Sequence, residues 1–142
     1  MIVLDTNVLS TMMRGAPEAS VIRWLDDQPA ESIWITAVTV FEVELGLALL
    51  PAGARRRSLE RSFAELLLTD LGGRVLDFDR SAAGAAAALG AARQRRGRVV
   101  DVRDTQIAGI VVSRRATLAT RNARDFADLD VPVVNPWDPP IV

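Results

Sequence analysis

The sequence predicts an α/β fold: a three-layer α/β/α sandwich whose central sheet is mainly parallel. Three observations carry that expectation. Short apolar runs rich in β-branched residues alternate with longer helical stretches along the chain. Those short runs are apolar throughout rather than at alternate positions, as strands covered on both faces are. The length of 142 residues, with 49% hydrophobic and 25% charged, suits one domain with its own core, expected to span residues 1–142.

In chain order, Ile2–Leu4 reads as the first strand, with helices over Val8–Met13 and Glu18–Asp27 after it. Ile33–Thr36 is the second strand, and TAVTVFEVELG leads into a helix over Val38–Leu50. That helix is apolar on nearly every side, which marks it as buried. Pro51-Ala52-Gly53 turns into a helix over Arg55–Leu71, and Gly72-Gly73 turns out of it towards a strand over Arg74–Phe78. Ser81–Arg96 is an Ala-rich helix suited to close packing, and Val102–Arg114 is the next helix. Thr117–Thr120 and Pro132–Val134 supply the last two strands.

The missing residue types narrow the chemistry. The chain has no His, Cys, Tyr or Lys. Imidazole acid–base catalysis, Cys nucleophiles, Schiff bases and zinc sites built on His or Cys are excluded. Polar chemistry falls to carboxylates, Ser/Thr, Asn/Gln and Arg. Carboxylates without imidazole favour hard, oxygen-loving cations such as Mg²⁺ or Mn²⁺. The net charge of −1 and the sequence pI near 5.4 give no global basic field for nucleic acid. All 17 basic residues are Arg, with clusters at Arg55–Arg57 and at Arg93, Arg95, Arg96 and Arg98. Each cluster is either a solvated helix end or a grip for phosphate. No basic leader with a cleavage site precedes the first strand, and Ala82–Ala92 is shorter than the roughly 20 apolar residues a membrane span takes. A cytoplasmic chain with no membrane contact is expected.

In an open parallel sheet, ligands bind outside the carboxyl ends of the strands. Four acids fall near that edge. Asp5 ends the first strand in LDTN, where it either caps the following helix or faces a site. Glu42 lies between Val38, Leu45 and Leu49 on the apolar helix, where a carboxylate needs a partner or a metal, and Gly46 leaves space one turn on. Glu44 projects elsewhere, as a partner or a surface charge. Asp104 shares a face with Ile107, Ala108 and Val111 and should point inward, while Asp101 better fits the cap of that helix. Asp125, in TRNARDF, follows the fourth strand in what is otherwise a polar turn. Two like charges about 4 Å apart repel by roughly 4 kcal/mol at an effective dielectric of 20. Four such groups in one pocket would need cations, so the spacing supports a metal site that orients phosphate and activates water.

LDTNVLS at the start, TVFEVELG near residue 40, DTQIAG near 105 and TLATRNARDF followed by VPVVNPW together resemble the PIN-domain ribonucleases. Within them, the nearest resemblance is to the VapC- and FitB-like toxins of bacterial type II toxin–antitoxin systems. It runs from Met1 to Trp137 with the motifs in order. The resemblance implies a PIN fold and an acidic pocket that holds Mg²⁺ or Mn²⁺ and hydrolyses RNA, leaving a 5′-phosphate and a 3′-hydroxyl. It places the acids at Asp5, Glu42, Asp104 and Asp125, with Thr6, Asn7, Thr120 and Asn122 as supporting polar groups. The family often has an acid where this chain has Asn122, which leaves open whether Asp125 meets metal directly or through water. Arg121, Arg124 or the Arg93–Arg98 group are candidates for the RNA backbone. The resemblance also implies a small DNA-binding, VapB-like antitoxin, a homodimer built from the toxin's own helices, and a larger toxin–antitoxin assembly. The Val38–Leu50 and Arg55–Leu71 helices are candidates for the dimer contact, with core burial as the other reading of both.

Two rival readings have a basis in the residues. VLDFDRS mimics the Asp-x-Asp of Mg²⁺-dependent aspartyl-phosphate phosphatases, although those enzymes use a Lys that this chain lacks. Asp77 and Asp79 otherwise form a turn whose Asp79 or Ser81 caps the next helix. The other rival is a catalytically inactive PIN-fold binding module.

Overall fold

The computed structural model describes residues 1–139, so the last three positions of the expected domain lie outside the described residues. Among the described residues five strands form one sheet: β1 (Ile2–Leu4), β2 (Ile33–Thr36), β3 (Val75–Leu76), β4 (Thr117–Ala119) and β5 (Val133–Val134). Their order is β3-β2-β1-β4-β5 and every neighbouring pair runs parallel. Ile2 stands opposite both Ile33 and Thr117, so β1 is the central rail of the sheet. The expected parallel sandwich is the observed one.

Period-2 alternation splits the strands between two cores. Leu4, Ile33, Ile35 and Ala119 face a layer containing α1 (Thr6–Met12), α2 (Ala19–Asp26), α3 (Ala37–Ala48) and α4 (Ala54–Glu65). Val3, Leu76 and Leu118 face α5 (Arg80–Arg95) and α6 (Val102–Ser113). Burial from both sides explains why these strands are apolar throughout. The Ala-rich α5 packs on α6 at Gly109, where an added Cβ would lie 2.5 Å from the Ala82 carbonyl oxygen. Small residues there let the two helix backbones meet.

Several expected boundaries move. The strands expected over Arg74–Phe78 and Pro132–Val134 shrink to two residues each, because β3 and β5 are edge strands paired on one side only. The helix expected over Arg55–Leu71 is α-helical to Glu65 and then widens into a π-helical turn over Leu66–Asp70. The helix expected from Val8 already begins at Thr6, because Asp5 caps it. Short 3-10 turns at Ala30–Ser32 and Ala123–Phe126 were not expected from the sequence. The all-round burial expected of α3 is also corrected: Phe41 is 53% and Leu49 77% exposed. α1, α4, α6 and the sheet enclose only part of its circumference, leaving one apolar side open.

In this strand order the chain direction across the sheet reverses between β1 and β4. Such switch points open a crevice beyond the carboxyl ends of the strands. Asp5 and Thr120 are the residues immediately after those two strands.

Candidate active site

β1 delivers Asp5 rigidly, because Val3 and Leu4 behind it are fully buried. Asp5 is itself only 5% exposed. One oxygen, Oδ1, accepts the Thr6 amide at 2.8 Å, so Asp5 is the N-cap of α1. The other, Oδ2, accepts the Thr120 hydroxyl at 2.8 Å and the Asn7 side-chain amide at 3.4 Å. The two readings open in the sequence are therefore compatible: the cap uses one oxygen and the other faces the switch-point crevice. Burial pushes the Asp5 pKa above the ordinary carboxylate value; the Thr120 and Thr6 hydrogen bonds pull it back, and the charge of Asp101 raises it.

The residues after β1 and β4 knit the crevice together. Asn7 also donates to the Thr120 hydroxyl at 3.4 Å and accepts the Arg121 amide at 3.2 Å through its Oδ1. Thr120 Oγ1 in turn accepts the Asn122 amide at 3.1 Å. Thr6, Asn7, Thr120 and Asn122 therefore form one network around Asp5, Asn122 through its backbone.

Glu42 enters from α3. Its Oε1 accepts the Thr6 hydroxyl at 2.9 Å, and its Oε2 stands 3.9 Å from the Arg103 guanidinium. Arg103 also lies 5.2 Å from the centre of the Phe41 ring. The Glu42 side chain is 22% exposed, so the carboxylate sits at a wet margin rather than within the core. Glu44 is exposed on the far side of the helix. Thr36 caps α3 by accepting the Thr39 amide, and the buried Thr39 hydroxyl lies 3.2 Å from that of Thr6. Composition alone did not single out Thr36 and Thr39; their signal was the N-cap position two residues before a helical pattern.

Asp104 enters from the first turn of α6, which Asp101 caps by accepting the Asp104 amide at 3.0 Å. The carboxyl is half-buried and its pKa is raised to about 6. Burial is the largest cause, followed by the charges of Asp5, Asp101, Glu42 and Asp125. Asp5, Glu42 and Asp125, the other acids singled out in the sequence, thus each lie within electrostatic reach of Asp104.

Asp125 is the outlying member, exposed on the 3-10 turn after β4. Its carbonyl accepts Arg93 and Arg98, each at 3.1 Å. Arg93 also binds both carboxylate oxygens of Asp128, at 2.9 and 3.0 Å, with Arg98 adding a contact at 3.1 Å. The Arg93–Arg98 group is therefore neither a merely solvated helix end nor open to phosphate at Arg93, which is 4% exposed. Sequence reasoning missed this clamp. Its signal was the stripe Ala82, Ala86, Arg93 at helical spacing on the buried face of α5.

The donor set suits a hard cation: ionisable carboxylates, hydroxyls and an amide, with mutual repulsion at Asp104 that positive charge would relieve. Among the described residues, however, no three acids are already arranged to hold a metal ion. Asp77 and Asp79, by contrast, are exposed beside the edge strand β3, and Asp79 caps α5 through the Ala82 amide at 2.9 Å. They take no part in the crevice.

Fold and crevice define a class, an all-parallel α/β sandwich with acids gathered at its switch point. The chain belongs to the PIN-domain family, whose profile, described as the PIN domain, matches residues 2–132. Its relatives include proteins named as a ribonuclease, a plasmid stability protein and a toxin. The chain is 38% identical over 139 residues to the VapC ribonuclease Y4jK of Sinorhizobium fredii, spanning 98% of this chain and 99% of that protein. It is 36% identical over 137 residues to the toxin FitB of Neisseria gonorrhoeae, spanning 96% and 99%. The structure of FitAB bound to an IR36 DNA fragment superposes with a TM-score of 0.90 at 35% identity, over 99% of each chain. The family seen in the four sequence motifs is the family found.

Proposed function

We propose that this chain, working as a single PIN domain, is a divalent-metal-dependent endoribonuclease and the toxin of a toxin–antitoxin pair. The observation that carries the reading is the position of Asp104. Its pKa near 6 reflects burial and the nearby negative charges of Asp5, Asp101, Glu42 and Asp125, beside the switch point of a parallel sheet. Such perturbed acids in a crevice mark functional sites more often than structural ones.

Asp5 and Asp104 would hold the main cation, Mg²⁺ or Mn²⁺, with Glu42 and Asp125 completing the site or holding a second one. When bound, the cation supplies positive charge at the scissile phosphate and acidifies a water. Thr120, Thr6 and Asn7 fix the orientation of the Asp5 carboxylate so that its direction is set before anything binds. Thr6 does the same for Glu42. Asp104, about half protonated near pH 6, must give up that proton to act as a ligand, so activity should rise from mildly acid to neutral pH. Hydrolysis adds water to phosphorus and expels the 3′-oxygen as a hydroxyl, leaving the 5′-phosphate on the other fragment.

The VapC and FitAB relatives support extending to this chain a small DNA-binding antitoxin partner, VapB-like in kind. The open apolar side of α3 at Phe41 and Leu49 is compatible with the homodimer that the resemblance implies. Among the described residues, no helix is long and apolar enough to cross a membrane, which is compatible with the proposed cytoplasmic location.

The test incubates purified protein with a broad set of single-stranded RNAs and Mn²⁺, with and without chelator, beside Asp5→Asn and Asp104→Asn. Cleavage by the wild type alone, stopped by chelator and leaving 5′-phosphate ends, is expected. Equal cleavage by all three forms, or none by the wild type, would overturn the proposal.

A further inference from the structure

Four Arg residues near the acids are already engaged within the protein. Arg93, Arg96 and Arg98 converge on Asp128, at 2.9, 3.9 and 3.1 Å, and Arg103 stands against Glu42. Arg121 and Arg124 differ: among the described residues, neither makes an ion pair. Both line an open polar cleft of about 460 Å³ together with Asn122, Asp125, Asn135 and Asp138.

The cleft shares Asn122 and Asp125 with the candidate site and is held in shape. The Arg121 amide binds Asn7, its carbonyl accepts Asn135 at 3.4 Å, and its guanidinium stacks 5.0 Å from the centre of the Trp137 ring. Asn135 also donates to Asp138 at 3.4 Å. Its residues come from the turn leaving β4 and the segment leaving β5, beyond the carboxyl ends of both strands.

The geometry points to this cleft as the subsite for the RNA strand adjacent to the scissile bond, with Arg121 and Arg124 holding backbone phosphate. The inference rests on the nuclease reading and adds the direction in which the strand leaves the acids. Guanidinium forks match phosphate oxygens, and Arg121 loses little freedom on binding because Trp137 already orients it. The carboxylates of Asp125 and Asp138 in the same cleft disfavour a bare anion. They suit a phosphate accompanied by hydroxyl donors, as in ribose.

The experiment uses the full chain and a fluorescent single-stranded RNA of about twelve nucleotides. Binding is measured in chelator across a salt series, and cleavage is measured with Mn²⁺. Arg121→Ala/Arg124→Ala is compared with Arg114→Ala/Arg115→Ala, which removes equal charge from exposed positions before β4, at the opposite edge of the sheet, and with Arg124→Ala alone as a milder variant. The expected result for the first pair is roughly tenfold weaker binding and a salt slope about 1.4 shallower, two phosphate contacts' worth. KM should rise roughly tenfold with kcat within about twofold, while Arg124→Ala alone shows part of the loss and the control pair stays near wild type. Unchanged binding in the cleft variant, or equal loss in the control pair, would overturn the subsite and leave the nuclease standing. A wild type that neither binds nor cuts RNA would overturn the nuclease reading and the subsite with it.

Discussion

The hydroxyl of Thr120 donates to Asp5 Oδ2 at 2.8 Å, joining the tips of two strands whose residues lie 115 positions apart. This contact aims the Asp5 carboxylate and favours its ionised form. Thr120→Val keeps the shape and removes the donor. The Asp5 pKa should then rise further, because an interaction that stabilises the anion is gone. Stability should fall by about 1–2 kcal/mol, and the acid limb of the pH–rate profile should move to higher pH with about tenfold less cleavage at neutrality. Urea denaturation and a pH series of cleavage rates check both effects.

Asp104 should destabilise the metal-free fold. Its folded pKa, about 6, lies above the ordinary value, so the folded state binds the proton more tightly than the unfolded state does. The penalty is fully present above pH 6 and fades as pH falls towards 4. Asp104→Asn should therefore stabilise the protein in chelator at pH 8 by roughly 1–2 kcal/mol after solvent screening, and by little at pH 4.5. The same variant should lose at least about a hundredfold in cleavage. Paired urea melts at the two pH values give the sign directly.

Asp128 behaves oppositely. The Arg93 hydrogen bonds hold its pKa below the ordinary carboxylate value. Its contribution is present above the unfolded pKa and is lost as pH falls through the lower folded value. Asp128→Ala strands Arg93 in the interior and should cost about 3 kcal/mol at neutral pH. The variant should also lack part of the steep acid unfolding of the wild type, which acid titration followed by circular dichroism measures.

Gly109→Ala tests the helix packing that carries Asp104. The added methyl group would press on Ala82 and Ala86 of α5. A loss of about 1–3 kcal/mol is expected, read as a lower denaturant midpoint.

The sequence made the central rails legible because β1 and β2 are apolar on both faces and end abruptly, and their observed bounds match those expected. The edge strands were overdrawn, since an apolar run does not reveal how many neighbours will pair with it. The candidate acids stood out because carboxylates after strand ends, at Asp5 and Asp125, or on apolar helix faces, at Glu42 and Asp104, are conspicuous in a chain without His or Cys. The reach of the other acids to Asp104 needed the strand order, which residue spacing does not encode. The Arg93–Asp128 pair escaped because its partners lie 35 positions apart and a run of Arg ordinarily reads as solvated surface. For α3, apolar composition signalled burial, but Phe41 and Leu49 are exposed in the single chain. Composition cannot distinguish a face that meets the core from one that is left open.

In the proposed mechanism Asp5 and Asp104 share a divalent cation. Crystals grown with Mn²⁺ and measured near its absorption edge test this most directly, because anomalous scattering locates the ion itself. The expected result is a peak between the Asp5 and Asp104 carboxylates, within direct ligand distance of an oxygen from each. The peak should be lost in Asp104→Asn crystals grown identically. A peak absent from the crevice, or one that persists unchanged in the variant, would contradict the account.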